Sequence, residues 1–584
     1  QRNHYLPRLA SGAEVPCFAL TGPEAGSDAT SLPDKGIVCW GEWKGKRVLG
    51  MRVTWEKRYI TLGPVATVMG LAFRLLDPEH LLGEKDDLGI TVALVPTDTP
   101  GVEIGRRHYP ANQGFQNGPN SGTDVFMPLD WIIGGPERAG QGWRMLMESL
   151  SVGRSISLPA LSTGAANLAA RATGAYARVR RQFGLPIGRF EGVEEALGPI
   201  AANAYMLEAA RAMTAWAVDQ GHKPTVLSAI LKYHATTTMR ETMNHALDVH
   251  GGKAICNGPS NYLANAYYAI PVSITVEGAN ILTRSMIIFG QGAIRCHPWL
   301  QKEMAAAARG EGPDAVAAFD SAFFGHLGFL SGNIMRAMFH GLTFGLYAGA
   351  PKDAEPAHWY RKLSAASAAF ALVSDFALAL LGGELKRREM LSGRLGDVLS
   401  QLYLASCVLK RFRDDGEPEA DLPLVDYCLM RALHQIQQSL DAVLANFPSR
   451  AVGLCLRPFV FPWGRRRRNP SDRLTQACAR LLLVPSATRD RLTEGIFIGS
   501  ESDPLGQLDS ALAAVLAAEG TEWRMKEAGI SDIDTALAKN IIDAGDAERL
   551  RRARDLTRAV IMVDSFEPEE LSGHVVRPAR GAAQ

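Results

Sequence analysis

The sequence has no pair of cysteines at CxxC spacing, no excess of charge of one sign and no signal-peptide pattern at its start. Its eight cysteines are far apart along 584 residues, so neither a zinc-finger site nor a disulfide scaffold is expected. The 62 Lys and Arg residues balance 61 Asp and Glu residues, and a net charge of +1 provides no global field for nucleic acid. We therefore predict a reduced protein with no metal site and no nucleic-acid partner.

The sequence also lacks an uninterrupted apolar run of ~20 residues, which is the length that a membrane-spanning helix needs. Asp375 interrupts Ser364–Leu381, and Arg336 interrupts Leu327–Ala350, so we interpret both stretches as buried helices of a soluble bundle. We expect a cytoplasmic protein without a transmembrane helix that can contact the inner membrane peripherally. Because the chain starts with Gln1 rather than Met, we expect the downstream part of a longer protein.

The sequence contains a β-rich part followed by a helical part. Over residues 13–130, short runs of β-branched and aromatic residues alternate with glycines, and the polar stretch Gln113–Gly122 is interpreted as a loop. Apolar residues recur every three to four positions over 138–292 and again over 298–564. No βαβ alternation is found, so we predict an α+β fold with segregated domains. The polar residues 565–584 are predicted to be a loose tail.

Two segments contain residues that suit a phosphorylated ligand. Phe18–Asp28, FALTGPEAGSD, leads an apolar run into a polar turn whose N–H groups and hydroxyls can approach a flavin ring or a phosphate. An ordinary strand-to-loop turn is the alternative. Arg180–Pro186, RRQFGLP, provides guanidinium groups for phosphate or pyrophosphate. Here the alternative is a basic helix end capped by Gly184.

Two further segments contain candidate catalytic groups. The glycines of Asp248–Gly252, DVHGG, permit a tight turn, although a plain helix cap with a structural His250 is the alternative. Ile270–Arg284, IPVSITVEGANILTR, carries the carboxylate of Glu277 in an apolar, β-branched stretch. Desolvation there would raise its pKa toward the ~6–7 of a general base at neutral pH. The alternatives are that Glu277 pairs with Arg284 or points to solvent.

Together, and in this order, the four segments resemble those of the acyl-CoA dehydrogenase family. FALT with its GSD turn is similar to that family's flavin-facing strand, and RRQFG to its pyrophosphate-binding helix end. VHGG and VEGAN are similar to the segments that precede and bear its catalytic glutamate. Tyr5–Gly12 resembles the exit from its N-terminal helical domain, and the stretches from Gly383, Leu399 and Asp421 resemble the extra C-terminal region of its long bacterial fatty-acid β-oxidation enzymes.

This resemblance implies a domain organisation. Residues 1–12 would be the end of an N-terminal helical domain, and 13–130 a middle β domain of barrel or sandwich type that binds flavin and acyl-CoA. Residues 138–292 would be a helical bundle bearing the catalytic glutamate, and 298–564 an additional all-α C-terminal region.

The resemblance also implies roles for individual residues. Glu277 is implied as the catalytic base, and Ser27 and Arg154 as substrate-binding residues. Residues implied to bind FAD, the last six of them in a neighbouring subunit's site, are Phe18, Leu20, Thr21, Thr61, Arg180, Gln182, Phe183, Asp248, Gly251 and Gly252. The sequence departs from the family pattern at Gly22, Val276, Ala279 and Ile281, where Glu, an aromatic residue, Thr and Gln are common.

The implied activity is FAD-dependent α,β-dehydrogenation of medium- or long-chain fatty acyl-CoA to trans-2-enoyl-CoA, the first step of β-oxidation. Electrons would pass to an electron-transferring flavoprotein, and a site shared between subunits implies at least a homodimer. An acyl-CoA oxidase that uses O2 and a non-catalytic acyl-CoA- or membrane-binding scaffold are the alternatives. Phe459–Arg468, FVFPWGRRRR, suits an anionic lipid surface, with a solvated charge run as the alternative.

Overall fold

The computed structural model describes residues 1–293, 297–310 and 312–571. These residues form two compact units. The first comprises Gln1–Arg154 with Pro271–Leu282, and the second comprises Ser155–Ile270 with the described residues from Thr283 onward. Cys296 and residues 572–584 of the predicted tail lie outside the described residues, and the described part of the tail contains the short helix Pro568–Leu571.

The first unit opens with helix α1 (Arg2–Ala10) and is built on a seven-stranded sheet. Its strands are β1 (Pro16–Ala19), β2 (Lys35–Trp43), β3 (Lys46–Thr61), β4 (Val68–Leu76), β5 (Asp87–Pro96), β6 (Val102–Ile104) and β7 (Asn117–Pro128). The order is β1-β4-β2-β3-β7-β6, with β5 antiparallel to β4. Strands β1 and β2 run parallel to successive parts of β4. Alternate apolar residues of these strands form a buried core that includes Met51, Val53, Met69 and Phe73.

Strand β7 corrects our interpretation of Gln113–Gly122 as a loop. From Asn117 onward the chain pairs antiparallel with β3, and Trp55 lies opposite Gly122. The indole Nε1 of Trp55 donates to Asn120 Oδ1 at 3.0 Å, and the ring occupies the space that a side chain at position 122 would need. Cross-strand pairing therefore overrides the low intrinsic strand propensity of these Asn and Gly residues.

The second unit is helical. Helix α2 (Gly142–Val179) begins in the first unit, and α6 (Ala264–Thr275) and α7 (Asn280–Leu282) join the two units along the chain. The other helices are α3 (Glu191–Asp219), α4 (Thr225–His250), α5 (Gly252–Ile255), the π-helix Thr283–Gln291, α8 (Leu300–Ala307), α9 (Pro313–Leu342), α10 (Ala357–Leu381), α11 (Glu389–Asp414), α12 (Leu422–Ala445), α13 (Arg450–Val460), α14 (Asp472–Arg480), α15 (Ala487–Leu492), α16 (Pro504–Glu527), α17 (Ile533–Ala538) and α18 (Ala544–Ile561).

Within this unit the helices after residue 298 pack on those before it. Helix α3 contacts α4, α11 and α14. A side chain at Gly198 of α3 would meet the backbone oxygen of Thr475 at 2.7 Å, so glycine permits the close approach of α14. The predicted α+β class, a β domain followed by helices, is confirmed.

One described helical stretch, Ala357–Lys386, is long and apolar enough to cross a membrane, and 44% of its apolar window is buried inside the protein. The bent pair of Ala264–Thr275 and Asn280–Gln291 would make a second candidate if it were counted as one span. Leu327–Ala350 is not among the candidate spans of the described residues, but it is only partly buried. Its helix ends at Leu342, and its large apolar side chains are either half-buried, as in Phe329, Leu330, Ile334 and Met338, or exposed, as in Leu327, Met335, Phe339, Leu342, Leu346 and Tyr347.

Candidate functional site

Glu277 lies at a bend between two helices, α6 and α7. Its backbone has φ +56°, and Gly278 follows with φ +89°. The left-handed region is unfavourable for a residue with a Cβ and is concentrated at functional sites. The side chain of Glu277 is exposed, so the burial that we expected from its apolar sequence setting is not observed. The alternative partner, Arg284, instead forms a two-point ion pair with Asp397 at 2.9 and 2.5 Å.

The structure places Arg154 close enough to Glu277 for their charges to interact. Burial lowers the pKa of the Arg154 guanidinium, and the Glu277 carboxylate opposes that shift. The Nε atom of Arg154 is buried and has no hydrogen-bond partner among the described residues. The first unit therefore brings together the predicted base and the predicted substrate-binding arginine, although 123 positions separate them in sequence.

The turn after β1 is held by a buried ion pair that sequence analysis missed. Lys57 Nζ lies 2.5 Å from Asp34 Oδ2, and both side chains are almost completely buried. The same Nζ donates to the carbonyl oxygen of Leu20 at 2.9 Å, and the N–H of Arg58 donates to the carbonyl of Thr21 at 3.0 Å. Burial lowers the pKa of Lys57, while its hydrogen bond and attraction to Asp34 raise it. The ion pair thus fixes the backbone of the predicted flavin-facing strand.

A period-two pattern in the sequence could have revealed Lys57. Met51, Val53 and Trp55 alternate toward the core of the sheet, and Lys57 continues that phase. A lysine at the next inward position predicts a buried cation with a carboxylate partner.

The other predicted residues of the first unit are accessible. Phe18 is 37% exposed on β1, and Thr61 and Ser27 are exposed. Thr61 ends β3, where Asn117 Nδ2 lies 3.4 Å from its hydroxyl. Because the Thr21 carbonyl is bonded to the N–H of residue 58 in that same strand, the structure anchors both predicted flavin-contacting threonines to the end of β3.

In the second unit, Arg180–Pro186 forms a small hairpin. The pairs Arg181–Pro186 and Gln182–Leu185 form its two rungs, and Phe183 and Gly184 at the tip have φ +51° and +76°. Successive positive φ values are those of a type I′ turn. Phe183 is 94% exposed at the tip. The alternative of a helix end capped by Gly184 is therefore wrong, because α2 ends at Val179 and Gly184 lies at the tip of the hairpin.

The cations of this hairpin region have different environments. Arg178 and Arg181 form ion pairs with Glu519 and Glu522 of α16, at 2.6 and 2.8 Å. Arg180, which lies between them, is half-buried and has no ion pair among the described residues. The hairpin therefore presents one guanidinium that remains available to a phosphate.

Asp248–Gly252 ends α4 around a buried histidine. His250 Nδ1 lies 2.8 Å from the Ala246 carbonyl and Nε2 lies 2.9 Å from the Tyr262 hydroxyl, while Tyr176 stacks on the ring at 4.3 Å. Burial lowers the pKa of His250 to about 4. The ring is thus neutral and structural, which is the alternative that we considered. Asp248, Gly251 and Gly252 are exposed above it.

The loop that follows these glycines is tied to a distant part of the chain. Lys253 Nζ donates to the Met562 carbonyl at 2.7 Å. Asp564 accepts from the N–H and the hydroxyl of Ser260, at 2.9 and 2.6 Å. The segment after α18 therefore fixes the loop next to the exposed glycine pair.

A His–His–Asp cluster is present among the described residues, with the candidate ligand atoms of His297, His326 and Asp375 within 4.8 Å of one another. His297 Nδ1 accepts from the N–H groups of Trp299 and Leu300, at 3.3 and 3.1 Å. This assigns the proton to Nε2, which lies 3.0 Å from Asp375 Oδ1. Because a protonated nitrogen cannot coordinate a metal, these bonds favour a helix-joining clamp.

Three models of one family match consecutive parts of the chain. "Acyl-CoA dehydrogenase, middle domain" matches residues 17–124, "Acyl-CoA dehydrogenase, C-terminal domain" matches 140–290, and "Acyl-CoA dehydrogenase, C-terminal, bacterial type" matches 294–566. The three matches follow the order of the β sheet, the helices around Glu277 and the later helices.

Individual relatives match different shares of the chain. Probable acyl-CoA dehydrogenase FadE10 of Mycobacterium tuberculosis is 26% identical over 471 residues, which are 78% of this chain and 68% of that protein. Protein HemX of Proteus mirabilis is 62% identical over 104 residues, 18% of this chain and 61% of that protein. The chain thus spans about two thirds of the length of these relatives.

A solved structure supports the fold. The Bacillus anthracis acyl-CoA dehydrogenase complexed with FAD has a TM-score of 0.61 to this chain and is 18% identical, covering 82% of this chain and 77% of its own.

Proposed function

The chain belongs to the acyl-CoA dehydrogenase family, and we propose from that membership that it catalyses FAD-dependent α,β-dehydrogenation of medium- or long-chain fatty acyl-CoA. The product is the trans-2-enoyl-CoA. The observation that carries the proposal is Glu277, an exposed carboxylate on a left-handed backbone beside the half-buried Arg154. An exposed base held by an unfavourable backbone conformation is typical of a catalytic position.

Glu277 would take the α-proton of the thioester onto a carboxylate oxygen. Arg154 positions this carboxylate by charge, and Ser27 lies in the exposed turn that would contact the thioester ligand. The chemistry that FAD supplies when bound is acceptance of the hydride from the β-carbon. The proton and the hydride together account for the two hydrogens that the substrate loses.

The residues present fit a flavin dinucleotide. The fixed backbone of Leu20 and Thr21, the accessible ring of Phe18 and the Thr61 hydroxyl suit the flavin. Arg180, without an ion pair among the described residues, suits the pyrophosphate. Gln182, Asp248 and the exposed Gly251 and Gly252 complete the proposed set.

We also propose that the site is shared between subunits of at least a dimer. A phenylalanine that is 94% exposed at a hairpin tip supports this, because such a side chain gains most when another surface covers it. Electrons are proposed to pass to an electron-transferring flavoprotein, and the protein is proposed to be cytoplasmic.

Peripheral contact of Phe459–Arg468 with the inner membrane stays a prediction. Exposed Trp463, Arg466 and Arg468 support it. Two features limit it: Arg465 pairs with Asp441 at 2.9 Å, and the Trp463 indole donates to the Leu342 carbonyl at 3.0 Å. The segment is therefore folded against its neighbours and is not a free loop tip.

The test of the activity is Glu277→Gln. The substitution keeps the shape and the backbone strain and removes only the charge, so FAD and acyl-CoA binding should persist while turnover falls at least about 10²-fold. Glu42→Gln, at an exposed glutamate of β2, is the matched control and should leave turnover unchanged. Near wild-type turnover of the Glu277 variant would refute the assignment. Wild-type turnover in air without a carrier protein would instead identify an oxidase.

A further inference from the structure

A cavity of about 300 Å³ lies in the second unit among α9, α10, α12 and the segment after α13. Its apolar wall contains Ala337 of α9, Ala365, Ala366 and Ala369 of α10, and Ile436 and Leu440 of α12. Small side chains on two adjacent helices create the space. The volume is at the lower end of the ~300–1,000 Å³ typical of small-molecule sites.

Arg466 and Arg467 form a basic wall of the cavity, and His340 also lines the cavity. Burial lowers the pKa of His340, so its imidazole lines the cavity as a neutral group. Burial lowers the pKa of the Arg467 guanidinium, and the part of the chain that the structure describes gives it no carboxylate partner. His340 Nδ1 is buried and likewise has no hydrogen-bond partner there. A guanidinium withdrawn from water without a counter-ion is unfavourable, and an anion in the cavity would offset that cost.

The neighbouring charges do not neutralise Arg467. Asp441, next to the cavity-lining Leu440, is held by Arg457 at 2.6 Å and by Arg465 at 2.9 Å. Lys362 lies close enough to Arg467 for the two positive charges to repel, with Asp426 as the opposing carboxylate. The potential in this wall is therefore positive.

The basic wall is rigid before any ligand arrives. The backbone N–H of Arg467 donates to Gln437 Oε1 at 2.8 Å, and its carbonyl oxygen lies 3.1 Å from Gln437 Nε2 and 2.9 Å from His434 Nδ1. The Trp463 ring stacks on Phe344, with centroids 6.1 Å apart. A preorganised wall loses little conformational entropy on binding.

We propose that this cavity binds a single aliphatic chain that ends in a carboxylate or phosphate. The chain lies against the alanines of α9 and α10, and the anionic head lies at Arg467 and His340. Such a head can come from a soluble fatty anion or from a lipid at a bilayer surface. The site does not include Glu277 and does not depend on the proposed activity.

The test is isothermal titration calorimetry of the whole protein with dodecyl phosphate and dodecanoate. We expect saturable binding of one molecule per chain. Arg467→Gln should weaken it at least about tenfold, because a charge-assisted hydrogen bond is lost. Arg473→Gln, at an exposed arginine of α14 that does not line the cavity, should leave it unchanged. Ala366→Leu, which narrows the apolar part of the cavity, should weaken the binding of both dodecyl phosphate and dodecanoate. It should leave the binding of inorganic phosphate unchanged.

Co-sedimentation with phosphatidylglycerol vesicles identifies the source of the head group. Binding that depends on Arg467 supports the proposal. If the soluble anions bind, the head group belongs to a soluble fatty anion, and if the vesicles bind, it belongs to a lipid at a bilayer surface. The proposal is overturned if neither the soluble anions nor the vesicles bind, or if the Arg467→Gln variant binds them as tightly as wild type. It is also overturned if inorganic phosphate binds as tightly as dodecyl phosphate, or if uncharged dodecyl maltoside competes for the site as well as dodecyl phosphate does. Thermal unfolding of each variant establishes that it is folded.

Discussion

Beneath the exposed turn after β1 lies a buried ion pair, whereas beneath the exposed glycines after α4 lies a buried neutral histidine. Lys57 and Asp34 hold the first segment by charge and by a hydrogen bond to the backbone. His250, between Tyr176 and Tyr262, holds the second by uncharged hydrogen bonds and stacking.

This difference predicts which change destabilises each unit most. Removing one partner of a buried ion pair is destabilising, because the remaining charge is buried alone. Protonating a buried neutral histidine is destabilising, because its charged form is desolvated. We therefore expect substitution of the ion pair to destabilise the first unit, and acid to destabilise the second unit through His250.

The largest expected effect comes from breaking the ion pair. Lys57→Met should lower the free energy of unfolding by about 3–5 kcal/mol, because Asp34 is left buried without its cation. Urea denaturation measures the change. The double variant Lys57→Met with Asp34→Leu should recover part of the loss. It cannot recover all of it, because the N–H of Glu56, which donates to Asp34 Oδ1 at 2.9 Å, loses its acceptor. Equal stability of single variant and wild type would show that the pair is dispensable.

The next effect is acid sensitivity from His250. The pKa of His250 in the folded protein is about 4, below the ordinary value of 6.5. Between pH 6.5 and 4 the unfolded chain therefore binds a proton that the folded chain does not bind. The neutral ring makes its full contribution to the free energy of unfolding above pH 6.5, and about 3 kcal/mol of it is lost as the pH falls toward 4.

Unfolding free energies between pH 7 and 4 measure that loss. His250→Gln should flatten the slope while lowering stability at pH 7. The slope should not vanish, because burial also lowers the pKa of His234, to about 3. An unchanged slope in the variant would contradict the assignment of a buried neutral ring.

The smallest of the three effects concerns the surface that the second unit presents. Arg180→Ala should weaken FAD binding by about 1.5–3 kcal/mol, because a charge-assisted hydrogen bond to phosphate is lost. Absorbance of retained flavin and size-exclusion chromatography measure binding and assembly together, and both should decline if the cofactor spans subunits. Arg181→Ala, at an exposed pair with Glu522, is the control and should change neither. Stoichiometric flavin in a stable dimer of the Arg180 variant would refute the contact.

The order of β and α segments could be predicted from the sequence, whereas the location of the site stays a prediction. Strand-like runs and helical periodicity are local patterns, and the motifs around Thr21, Arg180, Gly251 and Glu277 are short. The domain bounds 13–130, 138–292 and 298–564 and the roles of the site residues stay predictions.

What local patterns could not supply was pairing at a distance. Asn117–Gly122 becomes a strand because it pairs with β3, where Trp55 lies opposite Gly122. The hairpin at Phe183 is local, but its strands of two residues each are too short to leave an alternating pattern. For Glu277 we expected desolvation, with exposure to solvent as an alternative, and the side chain is exposed. Apolar neighbours in sequence do not bury a side chain when the chain bends sharply at that residue.

The bond between Asp564 and Ser260 joins residues that are 304 positions apart. A ribosome adds about 5–20 residues per second, so the loop beside the glycine pair is made roughly 15–60 s before the segment that holds it. During that interval the loop has neither the Asp564 carboxylate nor the Met562 carbonyl as a partner. The loop beside Gly251 and Gly252, the two glycines that we propose to bind FAD, therefore reaches its final form late in biosynthesis.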